Sequence, residues 1–185
     1  MDLFEFLMVL LSIIVGLGLA EILTGTAKIL RDGRHAAFSW AHSFAVASIF
    51  MAMLQTFWEA WGLRSIEAWT YPAMLLMLGG PVLLFVIANV LFPGDDGVED
   101  LGEYYFARTR LIWSLAVMAV IVGVLFRPVA FDMPLFVRDN LSSGPALVAC
   151  LLLATINNRT FHNVVLPLML LTIIADTVAI SYLIR

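Results

Sequence analysis

A chain of 185 residues that is 62% hydrophobic and 13% charged, with a mean hydropathy of +0.99, excludes a water-soluble globular domain, which needs far more polar surface. The net charge of −4 comes mostly from one loop, and there is no basic run of the kind that binds nucleic acid. The single cysteine, Cys150, excludes an internal disulfide and a cysteine-based metal cluster within one chain.

At roughly 20 apolar residues per transmembrane helix, the chain holds five or six spans and no separate soluble domain. Residues 1–185 therefore read as a single all-α integral membrane domain, a polytopic helix bundle. Met1-Asp2-Leu3 lacks the positive flank of a signal peptide and the apolar run behind it is too long for one, so the expectation is a retained first span.

In chain order, the first span covers about Phe4–Leu30 and ends at Arg31-Asp-Gly-Arg-His35, where Gly33 suits a turn. The second covers about Ala37–Gly62, and the short linker behind it makes spans two and three antiparallel neighbours. The third, Trp69–Phe92, contains Gly79-Gly80-Pro81, where proline removes a backbone donor and predicts a kink. The aqueous acidic loop Pro93–Glu103 follows. The fourth span runs from Tyr104 to Phe126 and stops at Arg127-Pro128. The stretch Val129–Ser143 is ambiguous, with Asp132 placed to cap a short interfacial helix that has Pro134 in its first turn. Gly144–Ile156 is short for a span. After Asn157-Asn-Arg-Thr160, the sixth run covers Val164–Ile184. Six spans are favoured, with five spans plus one re-entrant segment as the alternative.

Lysine and arginine placement orients the bundle. With six spans, one side carries Lys28, Arg31, Arg34, Arg108, Arg110 and Arg159, and the other carries Arg64, Arg127, Arg138 and Arg185. The bias of six to four puts both termini outside the cytoplasm. Trp58, Trp61, Trp69 and Tyr71 mark one interface and Trp40, Tyr104 and Tyr105 the other. In general shape the chain resembles the small polytopic proteins of bacterial inner membranes.

Two helical faces stand out. Gly18, Glu21, Gly25 and Lys28 recur at three-four-three spacing on the first span. On the second, Ala41, Ala45, Ser48, Ala52, Gln55, Glu59 and Gly62 form a stripe of small and polar side chains. Small residues let helix backbones approach in lipid, so Gly18, Gly25, Ala45, Ser48 and Ala52 read as packing seams.

Ionisable groups inside spans cost about 3 kcal/mol each at mid-bilayer, so they mark function or pairing. Glu21 shares its half of the membrane with Lys28, Arg108 and Arg110, and structural pairing is the expectation there. Asp176, Glu59 and Gln55 share the other half without a basic residue in their spans. A carboxyl cluster without a cation either takes up protons or holds a cation, so Asp176, Glu59, Gln55 and Glu21 are the ion-pathway candidates.

His42 and His162 lie on one side near helix starts, where an interfacial hydrogen bond is several times better supported than haem ligation. Asp95, Asp96, Glu99 and Asp100 lack the EF-hand spacing and read as a solvated loop. No nucleophile elbow, phosphate-cradling loop or metalloprotease helix is present, so no metal, cofactor or enzymatic activity is expected. Two function classes remain: an oligomeric proton or small-cation channel or transporter, and a non-transporting scaffold or accessory membrane subunit. Both imply the lipid bilayer as environment and a homo-oligomer or a membrane-protein partner.

Overall fold

The computed structural model describes residues 3–31, 38–64, 66, 69–94, 100–132, 134 and 143–183, the side chains of the last helix through Val178. Within them lie six α-helices: α1 (Leu3–Arg31), α2 (Trp40–Ala60), α3 (Tyr71–Leu91), α4 (Leu101–Phe131), α5 (Ser143–Thr155) and α6 (Arg159–Leu183). A 3-10 turn, Trp61–Leu63, prolongs α2. The expected turn at Gly33, residues Asp95, Asp96 and Glu99 of the acidic loop, and Arg34, His35, Arg138 and Arg185 lie outside the described residues.

The helices begin where a side chain can take up their first free amides. Ser39 accepts from the amide of His42 at 3.4 Å, and Thr70 from that of Ala73 at 3.3 Å, with a proline in the first turn of α3. Asp100 Oδ1 accepts from Gly102 and Glu103 at 2.6 and 3.1 Å and opens α4 one turn earlier than hydropathy places it. Asn158 Oδ1 accepts from Phe161 at 3.2 Å, so α6 starts at Arg159, within the segment expected to be a linker. Asp132, expected to open a short helix, instead closes α4 in the left-handed region at φ 53°. Aspartate tolerates that conformation better than most residues. Arg127-Pro128 therefore does not end α4, and α3 likewise runs on through Pro81.

Five helices, α1, α2 with its 3-10 turn, α3, α4 and α6, are long and apolar enough to cross a membrane, whereas α5 has 13 residues. Their outer surface is itself apolar. Leu17, Leu23, Leu111, Met118, Leu171 and Val178 are all more than half exposed, as expected of side chains that face lipid. The chain is an integral membrane helical bundle.

α3 and α4 share the largest interface, α1 lies mainly against α3 and α2, and α5 lies mainly on α4. α2 sits centrally and touches α1, α3, α4 and α6. The Gly79-Gly80 pair lets α3 approach α4 closely: a Cβ at Gly79 would come within 3.3 Å of Val122 Cγ1.

Helix directions follow from the clefts and ring contacts. The starts of α2, α4 and α6 line one cleft through Ser39, Asp100 and Arg159, and Leu3 and Tyr71 place the starts of α1 and α3 at another. We call the first the cap end and the second the far end. The end of α4 is at the far end, since Phe126 and Phe131 meet Trp69 at 6.4 and 5.7 Å between ring centroids.

Candidate functional site

The richest polar constellation is a belt at the cap end, built from the ends of α3 and α5 and the starts of α2, α4 and α6. A helix that ends inside protein or lipid leaves its last carbonyls without intrahelical donors. For α3 the missing donors are side chains. His42 Nε2 donates to Leu91 O at 2.9 Å, and the Tyr104 hydroxyl lies 2.7 Å from Phe92 O and 3.1 Å from Val90 O. Two side chains from neighbouring helices thereby serve three successive carbonyls, the one hydroxyl proton of Tyr104 being shared between Val90 O and Phe92 O.

A second group serves the end of α5. Trp113 Nε1 donates to the Tyr105 hydroxyl at 2.9 Å, the hydroxyl donates to His162 Nδ1 at 2.8 Å, and His162 Nε2 donates to Ile156 O at 2.9 Å. The bonds have one consistent direction for a neutral imidazole carrying its proton on Nε2. Tyr105, Trp113 and His162 are all fully buried. The rings interlock: His42 meets Phe92 and Tyr105 edge-on at 5.7 and 6.4 Å, and Phe106 meets Tyr105 and His162 at 5.1 and 5.2 Å. Asn157 Nδ2 donates to Phe106 O at 3.3 Å, tying the start of α6 to α4.

Comparison with protein-family models, with curated proteins and with solved structures finds no match, so the reading of the site rests on its geometry alone.

The histidines thus make the expected hydrogen bonds, each to a backbone carbonyl. Tyr105, expected to mark the membrane interface, is fully buried in the bundle between His42 and His162 near the start of α4. The sequence signal for this belt was a helical spacing that hydropathy hides: Tyr105, Thr109 and Trp113 recur every four residues on the buried face of α4.

On α1 the buried face is Phe4, Leu7, Leu11, Val15, Gly18, Ile22 and Gly25. Gly18 lies against the Met53 side chain and the backbone of Phe85, and Gly25 lies under the Phe92 ring. Glu21 sits beside this face, half-buried, and Lys28 is exposed, so the four residues do not share one seam. Glu21 makes no hydrogen bond or ion pair among the described residues. The pairing expected with Arg108 or Arg110 is not formed. α1 packs on α2 and α3 rather than on α4, and the Arg108 guanidinium stacks over the Tyr104 ring at 3.9 Å.

On α2, Ala45 and Ser48 are buried and Ala52 and Gln55 half-buried, whereas Glu59 and Gly62 are exposed. Burial passes from Ser48 to Ile49, Met53 and Ala60, so the packed face of α2 turns away from the four-three stripe toward its end. Ser48 Oγ is, among the described residues, the buried side-chain polar atom left without a partner. Gln55 Nε2 donates to Glu59 Oε1 at 2.9 Å along its own helix.

His42 and His162 flank Tyr105, and α2 and α6 run parallel, so Gln55 and Asp176 come to a common depth about 20 Å further along their helices. No hydrogen bond joins them. Asp176 is half-buried and makes neither hydrogen bond nor ion pair among the described residues. Asp176, Glu59, Gln55 and Glu21 line neither of the two best-formed clefts.

Proposed function

We propose that the protein is a non-transporting membrane subunit, a scaffold whose cap belt locks its helices and whose Asp176 face meets a further membrane-embedded helix. The observation that carries this reading is the bonding of the belt. His42, Tyr104, Tyr105, Trp113 and His162 are engaged with helix-end carbonyls or with one another, which is a structural use of polar groups in lipid. Asp176 is the complement, a half-buried acid without a partner among the described residues on a lipid-facing helix. Exposure of that charge to hydrocarbon costs about 3 kcal/mol, and a second copy or another subunit covering this face would relieve it.

In this reading the chain crosses the membrane six times. α4 ends at the far end and α6 starts at the cap end, and α5, about 20 Å long and lying on α4 with its own end at the cap end, supports a sixth crossing. Lys28, Arg31, Arg108, Arg110 and Arg159 belong to the cap end and Arg64 and Arg127 to the far end. The positive-inside rule then puts the cap end in the cytoplasm and Leu3 and Leu183 outside it.

An oligomeric proton or cation pathway is the second reading, favoured by the common depth of Gln55 and Asp176. Purified protein in liposomes separates the two. The scaffold gives proton and cation flux no higher than protein-free vesicles, and Asp176→Asn lowers its oligomer or complex content. Flux that Asp176→Asn abolishes would establish the pathway and end the scaffold reading.

A further inference from the structure

At the cap end, outside the belt, the first turns of α2, α4 and α6 enclose a cleft of about 220 Å³. It is lined by Arg159 and Asn163 from α6, Asp100 and Phe106 from α4, and Trp40 and Phe38 at the start of α2. We propose that this cleft binds the headgroup of a phospholipid that carries both a phosphate and a primary ammonium, as in phosphatidylethanolamine.

The donors come first. Arg159 and Asn163 stand one helical turn apart on the same face of α6. The Arg159 guanidinium packs over the Phe106 ring at 5.5 Å, and neither side chain makes a hydrogen bond among the described residues. A guanidinium fork and a side-chain amide together are a phosphate-recognition set.

A phosphate alone does not fit the other wall. Asp100 uses Oδ1 to cap α4, and Oδ2 has no hydrogen bond among the described residues, so a carboxylate faces the same cleft as the guanidinium. A purely anionic headgroup would be repelled there. A primary ammonium, with three N–H donors, satisfies that oxygen, and the faces of Trp40 and Phe38 attract the same cation. A quaternary ammonium has no N–H to give the carboxylate.

Place and shape agree. Trp40 and Phe38 are 61% and 65% exposed at the level where aromatic side chains meet headgroups. Gly102 lets the caps of α2 and α4 pack closely at the wall of the cleft, since a Cβ there would come within 3.0 Å of Asp100 Oδ1 and 3.4 Å of Ser39 Oγ.

The full-length protein, reconstituted in vesicles of phosphatidylethanolamine, phosphatidylcholine and phosphatidylglycerol in equal parts and then delipidated in detergent, tests this by mass spectrometry of the retained lipid. Phosphatidylethanolamine is retained about tenfold over phosphatidylcholine, the equivalent of one charge-assisted hydrogen bond. Arg159→Gln loses retention of all three. Asp100→Asn keeps the cap of α4, because asparagine caps as well as aspartate, and loses only the preference for the primary ammonium. Equal retention of the three lipids by the parent protein would overturn the proposal, as would tighter retention of phosphatidylglycerol. An unchanged preference in Asp100→Asn, with the helix content of the parent, would overturn it equally.

Discussion

The two ends of the bundle treat polar groups in opposite ways. At the cap end, two histidines, two tyrosines and a tryptophan are bonded to helix-end carbonyls or to each other. Toward the far end, Gln55 bonds only along its own helix to Glu59, and Asp176 has no bond among the described residues. The belt is bonded within one chain, whereas Asp176 is a half-buried acid with no bond among the described residues. Polar groups in a membrane protein therefore have to be sorted by what they bond to before depth or charge is read as function.

Substitutions at the two ends test that contrast. Trp113→Ala removes a fully buried ring together with the donor to Tyr105, and a loss of about 3–5 kcal/mol is expected from large-to-small replacement in a core. Thermal unfolding in detergent, followed by tryptophan-independent scattering, measures it. A drop no larger than that of a surface substitution would mean that the belt does not hold the bundle together.

Tyr105→Phe keeps the ring and deletes only the hydroxyl, leaving Trp113 Nε1 and His162 Nδ1 without their partner. At about 0.6–2 kcal/mol for the interhelical bond to His162, with the Trp113 bond lying within α4 itself, the same unfolding measurement should register a smaller loss than Trp113→Ala. The reverse order would break the account of the belt as a hydrogen-bonded unit.

Ser48→Ala has the opposite sign. It removes a buried hydroxyl that has no partner, so the protein gains about 1 kcal/mol. Destabilisation instead would show that the hydroxyl is bonded in the membrane and that the α2 seam is polar by use.

Asp176→Asn should change the unfolding midpoint of the isolated subunit least, within about 0.5 kcal/mol, because Asp176 makes no bond among the described residues. Its effect belongs to assembly, read by crosslinking or light scattering in detergent. A large loss of subunit stability would place Asp176 inside the single-chain fold and erase the difference between the two ends.

Much of the fold was legible in the chain itself. The composition dictated helices in lipid, and five of the six apolar runs form helices long enough to cross. Helix starts were less legible, because Asp100 and Asn158 extend α4 and α6 into segments that hydropathy assigns to loops. A cap is a local hydrogen bond, and hydropathy averaged over a span does not register it. The glycines were legible as small surfaces, and the structure supplies what lies against them: Met53 and Phe85 for Gly18, Phe92 for Gly25.

What the sequence by itself determined is the solvent of this protein, its helical content and the positions of its small and ionisable side chains. Those follow from local composition and from the cost of unsatisfied backbone in hydrocarbon. Only the tertiary structure decided which polar groups meet. It turned Glu21 beside its seam rather than into it, put Arg108 on Tyr104 instead of an acid, and brought Tyr105 between His42 and His162 from three different helices. Contacts between helices depend on rotation and neighbour order, and helical periodicity within one span carries information about neither.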